Sequence, residues 1–196
     1  MKIKLSLHNH TITSDGELSP DQLLEYLRDA GFDVIAITDH MKIAQPWKIP
    51  KDIIFIPGIE WFFHGGFEII CLFPFTEPER GFLDLTQTRV KWVAHPIYGF
   101  SDYIGIERKA LASTIEYLKL DGYELYNGDE RQLTKLEELS IKRRLKFKVN
   151  KYAVDDFHIK GQEFRSWMEM NVPDLDVDLI IKNLVTGNYT IKNRKL

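Results

Sequence analysis

One cysteine stands in 196 residues. Cys71 has no second cysteine to pair with, so no disulfide framework exists within the chain and a reducing compartment is expected. It lies inside the apolar run FEIICLFPF and reads as a small buried hydrophobe; no signature around it marks a catalytic thiol. Long hydrophobic runs are also missing. No stretch approaches the roughly 20 apolar residues of a membrane span, and the opening MKIKLSLHNH is too poor in apolar residues for a signal peptide. A cytoplasmic protein with no membrane partner is the expectation. Charge of one sign is lacking as well: 26 Lys and Arg against 29 Asp and Glu give a net charge of −3. That is not the basic footprint of a domain that wraps nucleic acid. The local run KRRLKFK, residues 142 to 148, reads as a solvated helix end followed by an edge strand rather than as a phosphate patch. No low-complexity segment, long linker or internal repeat interrupts the chain.

What is present is an ordinary globular composition, 44% apolar and 28% charged, in a chain long enough to bury a core without staples. A single domain over residues 1–196 is expected. Strand and helix signals alternate. In IKLSLHNH, Ile3, Leu5 and Leu7 fall on one strand face and Lys4, Ser6, His8 and His10 on the other. LSPDQLLEYLRDAG has Ser19 as N-cap, Pro20 at the first helical position, an apolar stripe of Leu23, Leu24 and Leu27, and Gly31 as its stop. FDVIAITDH reads as a buried strand. DIIFIPGIE follows, interrupted by Pro57-Gly58, then the strands FEIICLF and VKWVAHP. IERKALASTIEYLKLDG and DERQLTKLEELSIKRR read as helices on either side of the strand YELYNG. LKFKVNKYAVDDFH reads as a strand, and DVDLIIKNLVTG as a last helix stopped by Gly187. This alternation argues for the α/β class with a largely parallel sheet.

His8, His10, His40, Glu60, His95, Asp156 and His158 all fall at or just past the carboxyl ends of these strands. In parallel barrels and open α/β sheets those ends share one rim, where ligands bind. Imidazoles and carboxylates gathered there suit zinc, manganese or iron. A metal-bound water has a lowered pKa, and a pair of ions can clamp the oxygens of a phosphate. A lone histidine is more often a surface or hydrogen-bonded residue than a ligand; the weight lies on the joint pattern.

HNHTITSDG, ITDH, GIE, AHP and DDFH, in this order and spacing, resemble the PHP (polymerase and histidinol phosphatase) family over residues 3 to about 190. The resemblance implies a distorted seven-stranded (β/α) barrel, two or three divalent ions and phosphoester hydrolysis. It implies that His8, His10, Glu60 and Asp156 hold a first ion, with Glu60 bridging. Asp15, His40 and His158 resemble the ligands of another, and His95 a ligand of the ion that shares Glu60. Glu60 is then expected to organise the nucleophile, with His95 or His158 assisting the leaving group. Asp39 reads either as a support for His40 or as a loop or capping aspartate.

The sequence departs from the family pattern where many relatives carry a histidine in an H-x-L step. Here the step reads Ile70-Cys71-Leu72. His64, in FFHGG, is a candidate substitute; an exposed loop histidine is the other reading. Asp155 either shifts the local charge or faces solvent. Lys42, Arg80 and Arg89 read as phosphate contacts or, more simply, as solvated charges. Asn127 is placed to touch substrate or to fix a ligand. Trp47, Trp61 and Phe63 read as an apolar wall or as core.

The function expected from this reading is hydrolysis of a small phosphomonoester or phosphodiester, such as a nucleotide or sugar phosphate, by metal-activated water. Two alternatives stay open. One is a metal-binding module of this family that has lost turnover and serves structure or regulation. The other is a nuclease acting on nucleic-acid ends, against which the acidic pI speaks.

Overall fold

A computed structural model describes residues 1–63, 66–74, 76–79, 82–96, 104–128 and 135–194. Among these, nine strands form one sheet around which four α-helices are arranged. The strands are β1 (Lys2–Ser6), β2 (Val34–Ile37), β3 (Ile54–Phe63), β4 (Phe67–Leu72), β5 (Val90–Val93), β6 (Gly122–Asn127), β7 (Asn150–Val154), β8 (Ser166–Asn171) and β9 (Thr190–Asn193). The helices are α1 (Pro20–Asp29), α2 (Ile104–Leu118), α3 (Lys135–Lys142) and α4 (Val177–Thr186).

The order across the sheet is β7-β6-β5-β4-β3-β2-β1-β8-β9. β1, β2 and β3 run parallel, as do β5, β6 and β7. β4 runs against both of its neighbours. The sheet curls until its first and seventh strands meet at one end. Just past β1 and β7, Asn9 bridges Phe157, and the His10 N–H donates to the Phe157 carbonyl at 2.8 Å. At the other end β8 takes the same edge of β1, pairing antiparallel with Lys2–Leu5, and β9 adds to it.

Three expectations are corrected here. The sheet has nine strands rather than seven, because β8 and β9 follow the DDFH motif as short, mixed segments, SWMEMN and TIKN, that carry too few apolar residues to stand out as strands. The sheet is also half antiparallel rather than largely parallel. The dipeptide Pro57-Gly58 does not interrupt β3, which is continuous from Ile54 to Phe63.

Inside the barrel lie Ile3, Leu5, Leu7, Ala36, Ile70, Leu72, Trp92 and Tyr152. α4 joins this cluster through Ile180, Ile181 and Leu184. The Asn150 amide donates to the Leu184 and Val185 carbonyls from the amino end of β7, so α4 plugs the end of the barrel away from the strand tips. Outside the barrel, Leu23, Leu24 and Leu27 of α1 cover Ile35 and Ile37, while Leu111 and Ile115 of α2 cover Val93 and Tyr123. α1 begins as the sequence predicts: the Gln22 N–H donates to Ser19 Oγ, and the Ser19 N–H donates to Gln22 Oε1 at 3.0 Å, a reciprocal cap that satisfies two otherwise unpaired donors. α4 ends at Gly187, φ 72°, a left-handed cap that glycine adopts without steric cost. Cys71 is buried, and burial pushes its thiol pKa well up, as an inert apolar residue requires. No helix among the described residues is long and apolar enough to cross a membrane.

Candidate metal centre

The side chains of the pocket arrive where strands end and the chain turns sharply. β1 ends at Ser6, and its alternation ends with it. Lys4 stacks over Phe32 and Trp167 on the outer face, whereas His8 reaches Glu124 inside the barrel. The two histidines therefore do not share a face with Lys4 and Ser6 as the alternation predicts, although they point the same way as each other. Between them the Asn9 amide donates to the Ser6 and Ala36 carbonyls. His8 and His10 are fully buried, with Nε2 atoms 3.1 Å apart. His40 follows β2 and bridges Glu60; Met41, at φ 58°, turns the chain away. Glu60 lies within β3 rather than at its end. His95 follows β5. Asp156 follows β7 at φ 52°, a left-handed conformation that aspartate tolerates better than most residues, and the turn brings both Asp156 and His158 to the mouth.

Glu60 is the hub. Its Oε2 lies 3.1 Å from His10 Nε2, 3.2 Å from His40 Nδ1 and 3.3 Å from His8 Nε2, and its Oε1 lies 3.1 Å from His95 Nε2. Asp156 Oδ1 sits 3.2 Å from His8 Nε2 and 3.3 Å from His10 Nε2. Asp15 stands further out, with Oδ1 3.4 Å from His10 Nδ1 and Oδ2 3.4 Å from His40 Nε2 and 3.7 Å from His158 Nε2. The structure thus brings His8, His10, Asp15, His40, Glu60, His95, Asp156 and His158 into one pocket. His64 and Arg80 lie outside the described residues.

Burial alone would strip the proton from His8, but the carboxylates of Asp156, Glu60 and Glu124 outweigh it and raise its pKa well above the usual value. The same contest raises His10 and His95 to about 9. In return, against the cost of burial, the imidazoles hold the carboxyls of Glu60 and Asp156 well below their ordinary range. The pocket is thus a buried, anion-rich hollow that demands positive charge.

The residues fit divalent cations. Glu60 Oε2 and Asp156 Oδ1 are buried and accept no hydrogen bond, although imidazole nitrogens lie 3.1 to 3.3 Å away. A buried carboxylate oxygen left without a donor is costly. Two ligands each about 2.1 Å from one ion stand roughly 3.0 to 3.5 Å apart, which is the spacing seen. The donor atoms fall into compact sets, each with atoms within 4.8 Å of one another: His8, His10 and Asp156; His8, Glu60 and His95; His10, Asp15, His40 and His158; and His40, Glu60 and Glu68.

Several supporting residues escape the motifs. Glu124, inside β6, accepts from His8 Nδ1 at 2.9 Å, from Trp92 Nε1 at 3.1 Å, from the His95 N–H at 2.8 Å and from Asn127 Nδ2 at 3.0 Å. Asn127 also donates to Asp156 Oδ2 at 3.2 Å, so of its two predicted roles it fixes neighbouring carboxylates. The available signal for Glu124 was a lone charge within the strand YELYN. Glu68 lies apart from the strand carboxyl ends that the motifs mark, because β4 runs backwards and presents its amino end to the mouth.

Asp39 does not support His40. Its carboxylate accepts from the Thr11 N–H at 2.7 Å, Thr11 Oγ1 at 2.7 Å and Ser14 Oγ at 2.6 Å, and so secures the loop that carries Asp15. Asp155 is buried and accepts from the N–H groups of Arg165 and Ser166, tying β7 to β8 rather than facing solvent. Burial pushes its pKa up to about 6 against those two donors. Lys42 pairs with Glu77, and Arg89 pairs with Asp178 of α4. Trp61 is core, Phe63 packs against the same cluster, and Trp47 is exposed.

A curled α/β sheet with imidazoles and carboxylates gathered at its mouth defines the class of protein. The sequence matches the PHP domain model over residues 6–154, well over half of the chain, and the chain belongs to that family. The match ends just before Asp156 and His158, which the structure nevertheless places in the pocket. No curated protein matches the sequence. Solved structures with this fold include a two-domain protein from Bacteroides vulgatus ATCC 8482 containing a predicted PHP-like metal-dependent phosphoesterase. It superposes with a TM-score of 0.72 at 17% identity, over 100% of this chain and 66% of that one. The chain therefore spans just under two thirds of that protein's length. An amidohydrolase from Chromobacterium violaceum with bound sulfate and no metal has a TM-score of 0.56 at 13% identity, covering 95% of this chain and 97% of that one. PsfC from Pseudomonas syringae PB-5123 has a TM-score of 0.58 at 11% identity, covering 98% of this chain and 92% of that one.

Proposed function

We propose that this chain is a single-domain, metal-dependent hydrolase of small phosphoesters, with phosphomonoesters and phosphodiesters such as nucleotides or sugar phosphates as its substrate class. One observation carries the reading: Glu60 Oε2, buried and accepting no hydrogen bond, faces three imidazole nitrogens at 3.1 to 3.3 Å. A buried carboxylate on which imidazoles converge in this way supports a ligand set.

His8, His10, Glu60 and Asp156 would hold one ion. His95 would join Glu60 on a second, and Asp15, His40 and His158 would hold a third, with zinc, manganese and iron the candidate metals. Divalent ions in such a site supply an acidified water and positive charge for phosphate oxygens. The chain's own part is positional. Glu60 presents one oxygen to His8, His10 and His40 and the other to His95, so it keeps the donor sets in register. His158 Nδ1 is engaged by the Asp156 carbonyl at 2.9 Å. Only its Nε2 is left to hold an ion or to serve a leaving group, and its place beside Asp15 favours the first. His40, Asp15 and His158 are partly exposed while His8 and His10 are fully buried, so substrate enters from the Asp15 side.

The test is a panel of phosphomonoesters and phosphodiesters offered to protein loaded with manganese or with zinc. Turnover is expected, falling at least about 100-fold in Glu60→Gln. Metal-replete protein that hydrolyses no phosphoester would overturn the reading in favour of a binding module.

A further inference from the structure

Glu68 stands apart from the residues that the sequence motifs single out. It lies near the amino end of β4, which reaches the mouth because β4 alone among β1–β7 runs against both its neighbours. The Ala94 N–H donates to its carbonyl at 2.9 Å, fixing it beside His95. Its carboxylate points into the pocket: Oε2 is 3.5 Å from His95 Nε2, and Oε1 is 3.7 Å from His40 Nδ1. Glu60 faces the same two imidazoles from the opposite side, through Oε1 at 3.1 Å and Oε2 at 3.2 Å. The four side chains form a ring in which carboxylates and imidazoles alternate, and Glu60 Oε2, buried and without a hydrogen bond, faces its His40.

Two residues along the same face of β4 stands Ile70, wholly buried in the apolar interior. It offers no ligand atom. Residue 68 shares its face and lies nearer the mouth by about 7 Å, a difference that a glutamate side chain can span.

We propose that Glu68 is a metal ligand, completing with Glu60 and His95 the set around one ion. The inference rests on the metal-dependent reading above. It has a consequence for metal choice. A set of two carboxylates and one imidazole is richer in oxygen than one carboxylate and two imidazoles, and oxygen-rich sets favour manganese over zinc. This ion is the one whose identity Glu68 decides.

The experiment is metal content per chain after equilibrium dialysis against manganese, and separately against zinc, for wild type, Glu68→Gln and Glu68→His. Circular dichroism of the metal-free proteins reports on folding. Glu68→Gln is expected to retain one manganese fewer per chain, or to bind its weakest manganese at least tenfold less tightly. Glu68→His is expected to shift the preference of that ion toward zinc. Should Glu68→Gln fail to fold, Glu68→Asp, which withdraws the carboxylate while keeping its charge, carries the same comparison. A Glu68→Gln protein with the full complement at unchanged affinity overturns the role of Glu68 and leaves the metal-dependent reading standing. A wild-type protein that takes up no ion overturns both.

Discussion

The carboxylate of Glu124 accepts a hydrogen bond from His8 Nδ1 at 2.9 Å, and both residues are buried. The bond fixes the hydrogen on Nδ1 and turns Nε2 toward Glu60, His10 and Asp156. Carboxylates that orient metal-binding imidazoles in this way typically contribute 10- to 100-fold to metal affinity.

Glu124→Gln is accordingly expected to weaken metal retention about 10- to 100-fold. An amide nitrogen cannot accept from the donors that Glu124 now satisfies, so about 1 to 3 kcal/mol of stability should be lost as well. Isothermal titration with manganese and a thermal melt of the metal-free protein separate the two effects. Unchanged affinity would show that His8 is held by the fold without Glu124.

Metal binding should stabilise the folded chain, since the ligand set is assembled only there. An ion at 100 times its dissociation constant contributes about 2.7 kcal/mol. For a chain of this size that is a rise in Tm of roughly 5 to 10 °C. Chelation should remove the rise, and Glu60→Gln should abolish most of it. Differential scanning calorimetry with and without manganese reads this directly.

Asp39 and the loop from Thr11 to Asp15 should act as a unit. Three donors from Thr11 and Ser14 converge on the Asp39 carboxylate, and hydrogen bonds to a charged group are worth about 1.5 to 3 kcal/mol each. Asp39→Asn is expected to raise hydrogen exchange at the Thr11 amide and to loosen the ion near Asp15. Loss of metal with Thr11 exchange unchanged would mean instead that Asp39 serves His40.

Gly16 packs where no other residue fits. A Cβ there would stand 2.3 Å from the His10 carbonyl oxygen and 2.7 Å from the Thr11 nitrogen, both backbone atoms that cannot step aside. Gly16→Ala should cost about 1 to 3 kcal/mol and displace Asp15 from His10 and His40. A melt matching wild type would contradict the tight turn.

The pocket was more legible in the sequence than the sheet. H-x-H, ITDH, AHP and DDFH place imidazoles and carboxylates where strands give way to turns, GIE places Glu60 within β3 beside them, and a shared rim follows from α/β geometry. The supports were not legible in that way. Glu124 and Glu68 sit within strands, where sequence shows only a polar residue in an apolar run and cannot say which face it takes. The direction of β4 depends on the short β3–β4 connection, and a six-residue strand reads the same in either direction. Even the alternation of Ile3, Leu5 and Leu7 misplaced the two histidines, because the regular strand stops at Ser6 and the period with it. The pairing that closes the barrel, Asn9 with Phe157, joins residues far apart in sequence and leaves no local trace.

Anomalous diffraction from crystals soaked in manganese tests the central claim most directly. Peaks are expected within the hollow bounded by His8, His10, Glu60, His95 and Asp156, and they should vanish in Glu60→Gln. A well-ordered crystal in which those side chains keep their places and no anomalous peak lies among them would contradict the account.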